Sequence, residues 1–540
     1  MGLQSTNSPA GDAAAPSLRS AHSESRVPQF ARNSGFGSVA GLCTSLGGFL
    51  TTVLIAHLLG VRDTGIVAYA LWFASVAASI ADLGIQAALA RFLAECLGAG
   101  HRAEADGVAA FLFRPLVAGS AVVLLGFAGY SGFQWYCPEW AANDPALWMM
   151  IGCMTVLLAL TGFCFGRLRG LQQFDRLAVL TAQSLVVQLG GVALGCLIAG
   201  PIGAVAGSCL SLVLPAVYAV LNLPRAQPIP VSLRRRIRLY AFYAWGSGLV
   251  SVFVWSRIEV FFLQIARGSE AVGLFSASLT LSTLAVQGPV LLTTGLLPFF
   301  ASRFGRGAFD EMRDGYATAV RVLAFLVCPA CFGMAAIMPL ALPLIFGSAF
   351  SEAVPSAMVL LIAAGIAAMS GIGSNLIFAM ERSDFIFASG LIAAVLSVLA
   401  GLTIVQSFGL MGAVLARAGV QLIAVALGCW FVACRLRCPI PFRDLARIAI
   451  AAAATGVAAR AALLLPIGGF SLPAAIATGI VVYALLSRFF RLLPPRDVDR
   501  LHSLFRALPA RLQALADRLL YLVFEPRYGS LDPAAGTGDL

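Results

Sequence analysis

Apolar runs close to twenty residues long recur along most of the chain, separated by short segments that gather the arginines, prolines and acidic residues. At about 1.5 Å per residue, each such run folded as a helix crosses a hydrocarbon core about 30 Å thick. Read with a window of about nineteen residues, the pattern predicts fourteen helices, at 36–59, 65–90, 108–130, 146–166, 177–199, 202–223, 240–265, 271–297, 317–338, 355–380, 385–406, 410–433, 447–465 and 470–487. The shortest breaks are Gly200-Pro201 and Gln406 to Gly409, where tight turns separate adjacent runs. The expected fold class is an all-α polytopic membrane protein with about 14 transmembrane helices, since only helices or closed barrels satisfy backbone groups in lipid.

The flanks lack this pattern. Residues 1–34 are rich in Ser, Ala, Pro and Asn without apolar periodicity, which predicts a disordered arm. The first apolar run is too long for a signal-peptide core and lacks a small-residue cleavage site, so it reads as a retained helix. From Arg488 onward, Leu501, Leu504, Leu508, Leu512 and Leu515 recur at near-helical spacing among arginines, the pattern of an interfacial helix against anionic lipid.

Composition supports the membrane reading and narrows the chemistry. The 540 residues are 59% hydrophobic and 11% charged, and the mean hydropathy of +0.89 lies far from the balance of a soluble globular chain. All 36 basic residues are arginine, so lysine Schiff-base chemistry and a completed phosphate-loop lysine are both excluded. The net charge of +11 resides in loops and does not imply a nucleic-acid surface. Most of the 12 cysteines fall inside apolar runs, with Cys137 in an outer segment, so no disulfide framework is implied. Cys328 and Cys331 flank Pro329 within an apolar helix and read as packing. No metal site or cofactor is expected.

Arginine placement predicts orientation, because arginine is held on the cytoplasmic side during insertion. With both termini cytoplasmic, 29 arginines fall in inside segments, and only Arg62 and Arg267 fall outside. The other five, Arg114, Arg257, Arg321, Arg417 and Arg460, lie within helices. A bacterial inner-membrane location is an expectation that rests on the family resemblance set out below.

The chain also repeats itself. Gly60-Val-Arg-Asp-Thr-Gly65 matches Gly268-Ser-Glu-Ala-Val-Gly273 at an offset of 208. Gly200-Pro-Ile-Gly-Ala-Val205 matches Gly409-Leu-Met-Gly-Ala-Val414, and Asp175 matches Asp384, both at 209. Two six-helix halves of even span number run parallel through the bilayer, related by an axis along its normal, and enclose a central cavity. The organisation expected is a disordered cytoplasmic arm (1–34), a first six-helix lobe (35–223), a basic cytoplasmic linker (224–239), a second six-helix lobe (240–434), two additional C-terminal helices (447–487) and a basic amphipathic cytoplasmic tail (488–540).

Residues 31–95 carry a resemblance through Ile55-Ala-His-Leu-Leu-Gly60, Gly65 with Ala68-Tyr-Ala70, and Asp82-Leu-Gly-Ile85 running into Ala90-Arg-Phe-Leu-Ala-Glu95. Arg257-Ile-Glu259 and Gly273-Leu-Phe-Ser-Ala277 add to it, although the family more often has Asp where Glu259 stands. Together they resemble the polysaccharide and O-antigen flippases of the multidrug/oligosaccharidyl-lipid/polysaccharide exporter superfamily. The resemblance implies alternating-access transfer of a polyprenyl-pyrophosphate-linked oligosaccharide from the cytoplasmic to the periplasmic leaflet. Its implied partners are that lipid-linked substrate, membrane lipids, glycosyltransferases and a polysaccharide polymerase. A drug extruder and a lipid II flippase of the same superfamily are the alternatives. A membrane polymerase or glycosyltransferase fits worse: the longest outer segments offer only Glu139, Asp144 and Glu352 as charges, so the chain is not expected to be an enzyme.

Charges within helices need a cavity or a partner, because each costs at least about 2.5–3.5 kcal/mol at membrane depth. Arg257 lies deeper than Arg114 and Arg321, where a guanidinium can hold a diphosphate bidentately or pair with Asp82 or Glu259. Arg114 and Arg321, near-equivalent in the two halves, are within snorkelling range of the inner ends and either line the cavity or serve structure. Arg91 stands at the inner mouth, and Arg417 is near-central in helix 12. These five arginines are the candidate substrate contacts, with Asp82 and Glu259 as candidate coupling or ion-pair groups.

Overall fold

A computed structural model describes residues 26–136, 144–255, 257–291, 293, 295–465, 468–494 and 496–498. Among them there is no strand. Ten helices are long and apolar enough to cross a membrane. Four of these, Arg26–Ala81, Phe174–Leu221, Glu259–Leu291 and the run through Gln406–Trp430, break at a glycine and double back, making fourteen spans. Each break brings residues from its two sides into one core, as Ile55 joins Val67 and Val405 joins Val414.

The repeat is written into the backbone at these breaks. Gly60 has φ 80° and ψ −172°, and Gly268 has φ 79° and ψ −171°. Gly200 and Gly409 share φ 57° with ψ −134° and −127°. Only glycine adopts these positive-φ conformations at no steric cost, so each pair fixes the same turn in both halves. The result is a two-lobed bundle whose loops alternate between an arginine-rich and an arginine-poor end.

Four elements differ from their sequence expectation. Helix begins at Arg26, inside the segment expected as a disordered arm; Pro28 falls in the first turn, where a missing N–H costs nothing. Span 7 begins at Val231, inside the expected linker, because Leu233, Ile237 and Ala241 form a buried stripe at four-residue spacing that docks on the first lobe. Span 7 was also expected to be continuous over 240–265; it stops at Trp255 and resumes at Glu259, with Arg257 at φ 66° between the two pieces. Span 2 breaks over Asp82 to Gly84 before continuing as Ile85–Gly98, and span 8 breaks comparably between Leu291 and Leu296. The amphipathic stretch from Leu501 and the outer segment holding Cys137 lie outside the described residues.

Candidate functional site

The central cavity is built mainly from spans 1, 2 and 8. Thr44, Thr51 and Thr52 repeat at helical spacing on span 1, and Ser276, Thr280 and Thr283 do so on span 8. With Gln188 and Arg257 they line a chamber of about 420 Å³, in which Arg257 is the one charged residue among the described lining residues. Several of these hydroxyls donate to their own helix four residues back, as Thr52 does to Gly48 at 2.7 Å and Thr280 to Ser276 at 2.7 Å. That leaves oxygen lone pairs facing the chamber. Thr51 Oγ1 and Ser276 Oγ are buried with no hydrogen-bond partner among the described residues, the state of groups awaiting a ligand or water.

Arg257 reaches this chamber because its helix is interrupted. A non-glycine residue at positive φ costs of order 1 kcal/mol and persists only where its surroundings impose it. The broken segment also frees backbone polar groups at membrane depth, an arrangement tolerated where it lines a cavity. Arg257 forms no ion pair among the described residues. Glu259, the acid nearest in sequence, instead lies 3.3 Å from Nη1 of Arg417, with Glu259 buried and Arg417 largely so. Two guanidinium groups and one carboxylate therefore leave one positive charge, directed into the chamber.

A second chamber of about 490 Å³ adjoins the first, since Ser75 lines both. It holds Asp82, Gln86 and Arg169. The Asp82 carboxylate accepts from the backbone N–H of Gln86 at 3.2 Å and pairs with no arginine among the described residues.

Contacts between spans flank this path toward both ends. At the arginine-poor end, the turn after Gly60 meets the turn after Gly268 backbone to backbone. A Cβ on Gly65 would fall on the carbonyl of Ser269, and one on Gly273 on the carbonyl of Val61. At the arginine-rich end, Trp245 Nε1 donates to the Ile80 carbonyl at 3.2 Å. Arg236 lies 3.0 Å from Glu95, and the Arg91 guanidinium sits 4.5 Å over the Tyr240 ring. These contacts hold the start of span 7 against span 2.

The sequence-derived candidates thus separate. Arg257 and Asp82 face the central path, Arg417 and Glu259 satisfy each other beside it, and Arg91 stacks at its arginine-rich end. Arg321 is held by Asp497 at 2.6 Å and Asp444 at 3.6 Å. Arg114 lines a different groove, with Arg234 and Arg238. Sequence reading missed Arg169, which counted only as a loop charge, and the hydroxyl stripes, whose spacing on spans 1 and 8 was the available signal.

Comparison with known proteins agrees with this architecture. A structure of the lipid II flippase MurJ in an inward closed conformation matches with a TM-score of 0.66 over 84% of this chain and 98% of its own, at 13% identity. An inward-facing multidrug resistance MATE family transporter of the MOP superfamily matches at 0.58 over 73% and 94%, also at 13% identity. MATE in a bent conformation matches at 0.52 over 79% and 96%, at 15% identity. No curated protein matches in sequence. The family model described as polysaccharide biosynthesis protein matches residues 30–304. The chain therefore belongs to the polysaccharide biosynthesis protein family and carries the two-lobed membrane fold of MOP-superfamily transporters.

Proposed function

We infer that the protein is a flippase for an anionic lipid-linked oligosaccharide, carrying a polyprenyl-pyrophosphate headgroup across the bacterial inner membrane by alternating access, with both termini cytoplasmic. The observation that carries this reading is the Arg257 guanidinium, which has no carboxylate partner among the described residues and enters a hydroxyl-lined chamber between the lobes. A diphosphate accepts bidentate, charge-assisted hydrogen bonds from such a group, and these strengthen away from bulk water. Hydroxyls with free lone pairs suit a sugar, whose own hydroxyls both donate and accept.

The cycle needs these two sets of contacts to part in turn. Parting of span 7 from span 2 would admit the headgroup at the arginine-rich end, and parting of the Gly65 and Gly273 turns would release it at the other. The chain has no phosphate-binding loop in its sequence, so the drive comes from an ion gradient, from the supply and consumption of substrate by glycosyltransferases and a polymerase, or from a partner. The test is transfer of a fluorescent polyprenyl-pyrophosphate oligosaccharide across proteoliposomes holding the full chain. Protection of the label from an external quencher supports the reading; no transfer, with extrusion of a cationic dye instead, overturns it.

A further inference from the structure

A further large cavity lies off the central path. It is a half-open groove of about 730 Å³ between span 3 (Arg102–Tyr136), residues 226–229 of the connection between the lobes, and the first turns of span 7. Arg114, Arg234 and Arg238 all line it. Arg234 and Arg238 stand four residues apart and so share one helix face. None of the three has a carboxylate partner among the described residues, and Arg234 Nε is buried without an acceptor.

Three guanidinium groups around one groove repel unless an anion lies between them. Apart from Gln227 the rest of the wall is mainly apolar, with Phe111, Pro115 and Trp245, and Phe242 is 63% exposed beside Arg238. A basic rim above an exposed apolar wall has the two-part chemistry of a phospholipid: phosphate for the arginines, acyl chain for the aromatic face.

We propose that this groove binds an anionic phospholipid from the leaflet at the arginine-rich end, with its phosphate among Arg114, Arg234 and Arg238. Arg114 belongs to the first lobe, and Arg234 and Arg238 sit on the span that leads into the second. The bound lipid fastens the start of span 7 to span 3, on a face separate from the Arg236 contact with Glu95. Its dissociation is then linked to any movement of span 7 away from the first lobe.

The test counts phosphatidylglycerol retained by the full chain, by native mass spectrometry after extraction from nanodiscs of phosphatidylcholine doped with phosphatidylglycerol. The native chain and Arg235→Gln, an exposed arginine that does not line the groove, retain phosphatidylglycerol preferentially. Arg114→Gln/Arg238→Gln binds it about twenty-five-fold more weakly, roughly fivefold for each arginine. Arg114→Lys/Arg238→Lys retains most of the preference and guards against a folding artefact. Equal retention by the glutamine double variant and the native chain overturns the proposal. So does displacement of phosphatidylglycerol by equimolar polyprenyl diphosphate, which would make the groove a substrate entry site. The readout does not depend on flipping.

Discussion

The carboxylate of Glu259 lies 3.3 Å from Nη1 of Arg417, a residue 158 positions away in sequence, and not against Arg257, which is two positions away. The helix break between Trp255 and Glu259 explains the choice. Glu259 opens a new helix and points to span 12, while Arg257 stands outside helical geometry and enters the cavity. One charge pair joins span 7 to span 12, and the adjacent arginine is left without a carboxylate partner among the described residues.

Removing one member of that pair strands the other at membrane depth. Glu259→Ala lowers stability by about 3–5 kcal/mol, while Glu259→Leu/Arg417→Met recovers most of the loss, because a well-packed apolar pair is close to neutral. Thermal unfolding in detergent of the single and double variants checks this.

Arg114 and Arg321 occupy near-equivalent places in the two halves but have separate fates. Arg321 is fixed by Asp497, which also accepts from Thr318 at 2.8 Å, so the chain beyond span 14 is fastened to span 9. Asp497→Ala and Arg321→Ala lower stability by about 3 kcal/mol or more, yet leave the transfer rate per folded molecule within about twofold. A substrate role for Arg321 would instead abolish transfer in well-folded protein.

The contact of Gly65 with the span 7 to span 8 turn predicts a conformational bias. Gly65→Ala drives a Cβ into the Ser269 carbonyl, a clash that repacking offsets at about 1–3 kcal/mol. That disfavours the state in which the turns meet by about fivefold to more than a hundredfold. Labelling of Ser276→Cys, added to a cysteine-free background, by a membrane-impermeant maleimide from the arginine-poor side rises accordingly. No change in labelling would mean that the contact does not gate access.

The proposed orientation rests on the arginine asymmetry and can be read from a native thiol. Cys434 is exposed, near the arginine-rich end of span 12, while Cys438 close by is buried. In a chain keeping Cys434 alone, an impermeant maleimide labels it in inverted vesicles and not in intact spheroplasts. The reverse pattern would invert the topology.

Much of the fold was legible because long apolar runs and glycine turns are local signals. Gly60 and Gly268 match in sequence surroundings and then in backbone angles to within a degree. The breaks at Asp82 to Gly84 and around Arg257 were not legible, since the hydropathy of a span does not register a short interruption inside it. Arg257 and Asp82 were legible as costly charges, but their release from each other was not, because it depends on which spans pack together. Asp497 was missed for the same reason: its partners, Thr318 and Arg321, lie about 180 residues away. The hydroxyl stripe at Thr44, Thr51 and Thr52 was present as a pattern, but weak polarity in an apolar helix carries little signal until a cavity is seen beside it.

Whether the chamber takes an anionic headgroup turns on Arg257. Transfer of a fluorescent polyprenyl-pyrophosphate oligosaccharide is measured in proteoliposomes with native protein, Arg257→Ala and Arg257→Lys at matched insertion. Arg257→Ala is expected to lose at least about tenfold in rate with thermal stability unchanged, because a charge-assisted hydrogen bond to phosphate contributes about 1.5–3 kcal/mol. Arg257→Lys keeps the charge without the bidentate fork and retains an intermediate rate. Transfer by Arg257→Ala at the native rate would contradict the claim that this guanidinium engages the cargo.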